Sequence, residues 1–563
     1  MKQLISLFLI CIFIAAFNSC GEKKVSTTSM DNELKEFVKN LESKTISLYK
    51  EMNLAYWNAA ISGKKEDFDK VAGYQQKWTA IFANKEEFAK LKKIEESGVK
   101  DELLARQLTI IYNAYVGSQV DTAKLNAIIK LQNEIEQKFG NFRAEAGGKK
   151  LTDNEVEKVL TSSVDSKELK DVWTAQKKIG TIVADDLKKL VKMRNEIAKE
   201  LGYKNFHEMS LKLSEEDPEE ILKIFDELDL LTKDAFAKEK SSMDDYFINR
   251  YKIKKEELMP WHYQNRFFQE APKIYKVDFD TYYKNQKLEN LVETYYKGIN
   301  LPVDDIIKNS DLYEKQGKNQ HAFCNDMDKN GDVRVLCNIV SNEKWMNTML
   351  HEFGHAIYAK NIERTLPFFL KDAAQTFTTE AIAQFFGRFA TNAQWLKDNV
   401  KISDDDAKKI SEDGFKSLRL QQIVFSRWSQ VMYRFEKNMY ENPEQDLNAL
   451  WWSLVEKYQL LKKPEGRNEP DWASKIHIAT VPCYYHNYLL GELLASQLYY
   501  FIVKNVMKSE DYKNQSFTNK TEVGNFLKDK VFAPGAKFFW NDMIFKATGE
   551  KLTAKFYAQQ FIN

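Results

Sequence analysis

Two histidines four residues apart, with a glutamate beside the first, are the most chemically specific feature of this sequence: His351-Glu352-Phe353-Gly354-His355. On a helix, positions i and i+4 share one face about 6 Å apart along the axis, so both imidazoles can address a single metal ion. Glu352 leaves the same turn without being a ligand and is placed to polarise a water on the metal and take its proton. The flanks Trp345, Met346, Met349, Leu350, Ile357 and Tyr358 are apolar, which predicts a buried helix and dry surroundings for the ion. A catalytic zinc takes three protein ligands and keeps one position open. The third ligand is read at Glu380, 25 residues beyond His355, in the run Thr378-Thr379-Glu380-Ala381-Ile382-Ala383-Gln384. It is the only acid between Asp372 and Asp398, and a carboxylate in such apolar company needs a partner. The interval allows a helix end, a loop and an antiparallel return.

The motif HEFGH, the glutamate 25 residues on and Gln384 four beyond it resemble the gluzincin oligopeptidases, with thimet oligopeptidase and oligoendopeptidase F closest in site pattern. His321-Ala322-Phe323-Cys324 and the strand to Val340 resemble the segment that pairs with substrate backbone there, which implies substrate contacts at His321 and Ala322. The front half, with Trp57-Asn58, Trp173 and the stretch 194–209, resembles the angiotensin-converting-enzyme branch of the same clan. A second motif, Lys475-Ile476-His477 followed by Val481-Pro482-Cys483-Tyr484-Tyr485-His486-Asn487-Tyr488, is similar to both branches. The resemblance implies that His477 and a phenol from Tyr484 or Tyr488 donate to the oxyanion formed during peptide hydrolysis. Lys475 is the candidate for attracting a substrate carboxylate. The Val-Pro register carries departures from the converting-enzyme branch. Cys483 stands where that branch has a carboxylate-binding tyrosine, Tyr485 replaces its chloride-binding arginine, and His486 falls at its transition-state tyrosine, so His486 is also a candidate substrate contact.

The elements that must position these groups are helical. The first proline is Pro218, and more than two hundred residues without one argue against strand-and-turn architecture. Leu34, Phe37, Val38 and Leu41 repeat on one helical face, as do Leu104, Leu108, Ile111 and Tyr115. Asp217-Pro218-Glu219-Glu220 reads as a capped helix start. The segment 259–272 is rich in proline and aromatics and marks a turn region between lobes. One alternating, β-branched stretch, 332–340, follows a hairpin signal at Lys329-Asn330-Gly331-Asp332. Asp326, Asp328, Asn330 and Gly331 imitate a calcium loop, but Cys337 stands at the twelfth position, where a bidentate glutamate is needed, so the segment is read as a turn. Cys324 and Cys337 flank it and are candidates for a disulfide across it.

Composition sets the outer limits. Lys+Arg 83 against Asp+Glu 82 leaves a net charge of +1 over 563 residues, which gives no electrostatic reason to expect a nucleic-acid partner. The uncharged run 4–17 is too short to span about 30 Å of hydrocarbon and fits a secretory h-region. Ala16-Phe17-Asn18-Ser19-Cys20 resembles a lipobox, so residues 1–19 are expected to be a signal peptide, Cys20 the lipidated first mature residue and 20–31 a tether. The lipid is then the only membrane contact, and the expected location is the exported side of a bacterial cell envelope, periplasmic or surface. The expected fold is mostly α, an elongated two-lobed helical peptidase with a deep central cleft and a small β-hairpin near the site. Residues 32–258 form the N-terminal lobe and 259–563 the zinc lobe. The expected function is hydrolysis of oligopeptides by a zinc metallopeptidase with one zinc per chain. Three alternatives stay open: a dipeptidyl carboxypeptidase, a peptide-binding lipoprotein with a non-catalytic zinc, and a cysteine hydrolase built on Cys483 and His486.

Overall fold

The computed structural model describes residues 27–275, 277–513 and 515–562. The expected signal peptide and the Cys20 lipidation site lie outside the described residues. Seven helices matter most for the site: α1 (Thr27–Ser62), α2 (Ser166–Glu200), α3 (Pro218–Tyr251), α4 (Glu343–Lys360), α5 (Thr376–Gly387), α6 (Asp404–Glu441) and α7 (His486–Phe501). The amphipathic readings hold: Leu34, Val38 and Leu41 of α1 are buried, as are Leu104, Leu108, Ile111 and Tyr115. At the start of α3, Asp217 accepts hydrogen bonds from the backbone N–H groups of Glu219 (2.8 Å) and Glu220 (3.0 Å), with Pro218 in the first turn. The cap satisfies donors that have no partner within the helix. Among the described residues no helix is long and apolar enough to cross a membrane.

Only two small antiparallel sheets interrupt the helices among the described residues. One pairs β1 (Ala144–Ala146) with β2 (Lys149–Leu151). Its turn is Gly147-Gly148, both at positive φ, the geometry that two-residue hairpins require. Sequence reading missed it because its three-residue strands lack the β-branched alternation of longer ones. The other pairs β3 (Phe323–Asp326) with β4 (Val333–Leu336). Its turn is closed by carboxylates. Asp326 accepts from the N–H of Lys329 (2.8 Å), and Asp328 from those of Asn330 (2.9 Å) and Asp332 (3.2 Å). Cys324 and Cys337 are both free thiols, so the disulfide considered from the sequence is not formed.

Most of the buried apolar side chains join one core running from Ile128 to Phe561, which includes Phe353, Phe385, Trp428 and Leu490. A second cluster gathers the first helices around Tyr115 and reaches Phe368 and Phe369, just beyond α4. The N-terminal helices therefore pack onto the segment that joins α4 to α5.

Candidate active site

Helix α4 begins at an Asn342 cap, whose side chain accepts from the Trp345 N–H at 2.9 Å, and runs through the whole HExxH motif. Met346, Met349, Leu350, Phe353 and Ile357 are fully buried and fix its rotation. His351 and His355 are thereby turned toward α5, with ring centroids 4.9 Å apart. Helix α5 returns across α4 and carries Glu380. Its Oε2 lies 3.7 Å from His351 Nε2 and 3.9 Å from His355 Nε2. One donor atom from each residue falls within 4.8 Å of the other two, the only such metal-ligand cluster found among the described residues. Donors around a tetrahedral zinc with ligand bonds of about 2.0–2.1 Å stand about 3.3 Å apart, so a small contraction suffices. His355 Nδ1 is 2.8 Å from Thr379 Oγ1, which directs its Nε2 at Glu380. The donor set fits zinc.

The electrostatics agree with the geometry. Burial pushes His351 down to about 4. Burial and then His351 push His355 well below the ordinary imidazole range. Both rings therefore keep free lone pairs at neutral pH. Burial and then the Glu492 charge push Glu380 up to about 7. Burial and then the Glu380 charge push Glu352 up to about 8, against a lowering hydrogen bond from the Cys324 N–H. Two neutral imidazoles beside two carboxyls that are costly to ionise form a pocket that a divalent cation would stabilise. Around them lies a cavity of about 420 Å³ lined by Ala322, Cys324, Glu352, Thr379 and Lys371 among others.

The β-hairpin supplies one wall of the cavity. The outer edge of β4 is already taken: Asp311 N–H donates to the Val335 carbonyl (3.1 Å), and Cys337 N–H to the Asp311 carbonyl (2.9 Å). Ile339 N–H likewise donates to the Leu312 carbonyl (2.9 Å). This corrects the expectation that the strand to Val340 pairs with substrate backbone. The edge that faces the cavity is that of β3, through Ala322, Phe323 and Cys324. His321 is exposed and is not among the residues that line the cavity.

The second motif comes to the same region through α7. Gly491 lets α7 press on α5, since a methyl group there would lie 3.2 Å from Glu380 Cβ and 2.6 Å from Gln384 Oε1. Tyr484 and Tyr488 meet edge to face with centroids 5.3 Å apart, and both phenols feel the Glu380 charge. Tyr485 bridges Tyr488 (5.4 Å) and His477 (5.4 Å), and its hydroxyl accepts from Trp428 Nε1 at 2.7 Å. His477 Nδ1 is buried and has no hydrogen-bond partner among the described residues. Lys475 Nζ donates to Gln269 at 2.6 Å inside a cage of Phe267, Trp428 and Tyr485 rings, and burial pushes it down to about 7.

His486 does not face the cavity. It is 2% exposed, and its Nε2 lies 2.6 Å from Glu216, so the substrate contact considered for it is corrected to a buried hydrogen-bonded pair. The same pair removes the cysteine-hydrolase alternative, because the ring that would activate Cys483 is engaged elsewhere. Burial also pushes the Cys483 thiol well above its usual range, the condition of an inert cysteine. Thr379, Gln269, Glu216 and the Cys324 amide are further groups of the site region that the sequence reading did not single out. Only Thr379, beside Glu380, carried a usable signal, as a hydroxyl one residue from a ligand.

Fold and site together define a class, the helical zinc metallopeptidases of the gluzincin kind. The sequence pattern of the Peptidase_M2 family, described as angiotensin-converting enzyme, matches residues 28–561, and the chain belongs to that family. Angiotensin-converting enzyme of Haematobia irritans exigua is 22% identical over 449 residues, covering 73% of this chain and 72% of that protein. That of Mesocricetus auratus is 24% identical over 242 residues, 41% of this chain and 18% of that protein. Carboxypeptidase 1 of Bacillus subtilis is 25% identical over 267 residues, covering 43% and 52%. The match spans no more than 30% of the length of the mammalian relatives. The relatives thus point to the converting-enzyme branch rather than the thimet type, and a non-catalytic zinc lipoprotein finds no support among them.

Proposed function

We propose that the chain hydrolyses peptide bonds of oligopeptides with a zinc ion held by His351, His355 and Glu380. The observation that carries this reading is the convergence of those three donors within 4.8 Å beside a buried acid, Glu352. Zinc, when bound, supplies a Lewis acid that lowers the pKa of a water and draws charge from the scissile carbonyl. Glu352 takes the proton from the attacking water and later passes it to the leaving amine. The Cys324 N–H holds its carboxylate at the hairpin edge. His477 and a phenol of Tyr488 or Tyr484 donate to the oxyanion as charge develops. The open edge of β3 at Ala322 reads substrate main chain, a strand addition that is indifferent to side-chain identity.

Membership of the converting-enzyme family favours a narrower form, release of C-terminal dipeptides. The Lys475 side chain supports it: among the described residues no carboxylate forms a salt bridge with it, and a substrate C-terminus would complete its hydrogen bonding. Export and a lipid anchor at Cys20 belong to the same reading, supported by the apolar run 4–17 and the small residue before the cysteine.

The test is metal content and peptide cleavage before and after chelation, with Glu352→Gln beside the wild type. The variant is expected to retain zinc and lose about 10²–10⁴ in rate; full hydrolysis by zinc-loaded Glu352→Gln overturns the mechanism. Paired peptides with free and amidated C-termini decide the cut position, since only dipeptide release depends on the free carboxylate. Metabolic labelling with a fatty acid, lost in Cys20→Ser, tests the anchor.

A further inference from the structure

Glu216 lies on the three-residue link 214–216 between the helix Phe206–Leu213 and the Asp217 cap of α3, on the N-terminal side of the chain and outside every motif of the site. Its side chain is 1% exposed. A carboxylate buried to that degree is costly unless its oxygens are fully engaged. One oxygen accepts from Gln375 Nε2 at 2.7 Å, and the other lies 2.6 Å from His486 Nε2. Neither partner is arbitrary. Gln375 is the cap of α5, and its Oε1 accepts the Phe377 N–H at 2.6 Å, so it fixes the first turn of the helix that carries Glu380. His486 is the first residue of α7, and the Asn487 N–H closes back on the Tyr484 carbonyl at 2.9 Å. The backbone of Tyr484 is thereby tied to the start of α7.

The phenol of Tyr484 lies within the electrostatic reach of both Glu216 and Glu380. A single carboxylate thus ties together the N-terminal ends of the two helices that bring a metal ligand and the candidate oxyanion donors face to face. It does so from an element that contributes nothing else to the site. The local backbone is built to deliver it: Glu215 takes a left-handed φ of 59° and pairs with Arg106, while the Glu216 N–H is held by the Leu211 carbonyl at 2.8 Å.

We propose that Glu216 is a positioning residue for hydrolysis, acting through His486 and Gln375 to hold Tyr484 against the Glu380 side of the metal site. The inference rests on the zinc-peptidase reading above. It assigns Glu216 to the transition state rather than to substrate affinity, because the α7 end that it holds against the metal-ligand helix bears a phenol placed for charge that develops only as the bond breaks. Loss of that placement lowers kcat and leaves KM nearly untouched. Loss of general packing would instead lower the amount of folded enzyme without changing the parameters of what remains.

The experiment measures kcat, KM and zinc content for wild type, Glu216→Gln, Tyr484→Phe and the double variant. Glu216→Gln is expected to keep stoichiometric zinc and a KM within about threefold, with kcat down roughly tenfold to a hundredfold, the cost of about 1.4–2.7 kcal/mol of lost transition-state stabilisation. In the double variant the loss is expected to be much smaller than the product of the two single losses, because both changes remove one placement. Unchanged kcat, a loss confined to KM, or losses that multiply independently each overturn the proposal. Should Glu216→Gln fail to fold, His486→Leu, which has no donor for Glu216, removes the α7 arm alone and must give the same split of kcat from KM and the same non-additivity with Tyr484→Phe. Wild-type turnover that survives complete chelation sinks the zinc reading and this inference with it. Chelator-sensitive wild-type turnover with an unaffected Glu216→Gln sinks the inference alone.

Discussion

A methyl group on Gly354 would lie 2.8 Å from the Cα of Ala383 and 3.1 Å from the Ile382 carbonyl oxygen. Helices α4 and α5 therefore touch backbone to backbone, one residue before His355 and three after Glu380. This contact brings the histidine pair and the distant carboxylate within one ion's reach, and no side chain fits between them.

Gly354→Ala forces the helices apart where the metal donors converge. On propensity alone, alanine would stabilise an exposed helix by about 1 kcal/mol; here overpacking is expected to win, at about 1–3 kcal/mol of lost stability. Zinc affinity falls with it. Thermal melts with and without zinc, together with metal analysis, check both, and a variant that melts higher with full zinc would contradict the contact.

Thr379→Val removes the hydroxyl 2.8 Å from His355 Nδ1 at nearly constant volume. Partners of this kind orient the ligand ring, and their loss costs about 10–100-fold in metal affinity or activity. Competition with a zinc-binding dye measures it. KM of the zinc-saturated variant is expected to stay near the wild-type value.

If the open edge of β3 reads substrate backbone, methylating the amide nitrogen of the peptide residue that pairs with Ala322 removes a donor and adds a clash. One buried hydrogen bond with its desolvation penalty is worth about 1–3 kcal/mol, so kcat/KM is expected to fall roughly five- to 150-fold at that position. A scan of N-methylated peptides should find one or two sensitive positions. A flat profile would remove strand addition from the mechanism.

His262 is 1% exposed, and its Nδ1 accepts from the Met259 N–H at 2.9 Å, so its other nitrogen carries the proton toward Ser166 Oγ at 2.8 Å. Burial pushes it down to about 4, below its ordinary 6.5. Between those values the unfolded chain binds the proton and the folded one does not, so stability is lost as pH falls from about 6.5 toward 4. One proton gives a slope of at most about 1.4 kcal/mol per pH unit. Denaturant melts across this window should show a steeper decline for wild type than for His262→Gln. Equal slopes would mean that the ring is already charged in the fold.

The sequence by itself determined the ligand types, their spacing within one helix and the apolar faces that bury that helix. These are local matters, because residues four apart share a face whatever the rest of the chain does. The third ligand was legible as an acid out of place, and the amphipathic front half as a repeating period. Only the tertiary structure decided which edge of the hairpin is free, because β4 is covered by Asp311 and Leu312 from outside the predicted strand. It also decided that His486 turns to Glu216, a partner 270 residues away, although the pattern around His486 suggested a substrate contact. Side-chain direction at a helix start depends on what packs against it, and partners brought together from opposite ends of the chain leave no period, motif or spacing to read.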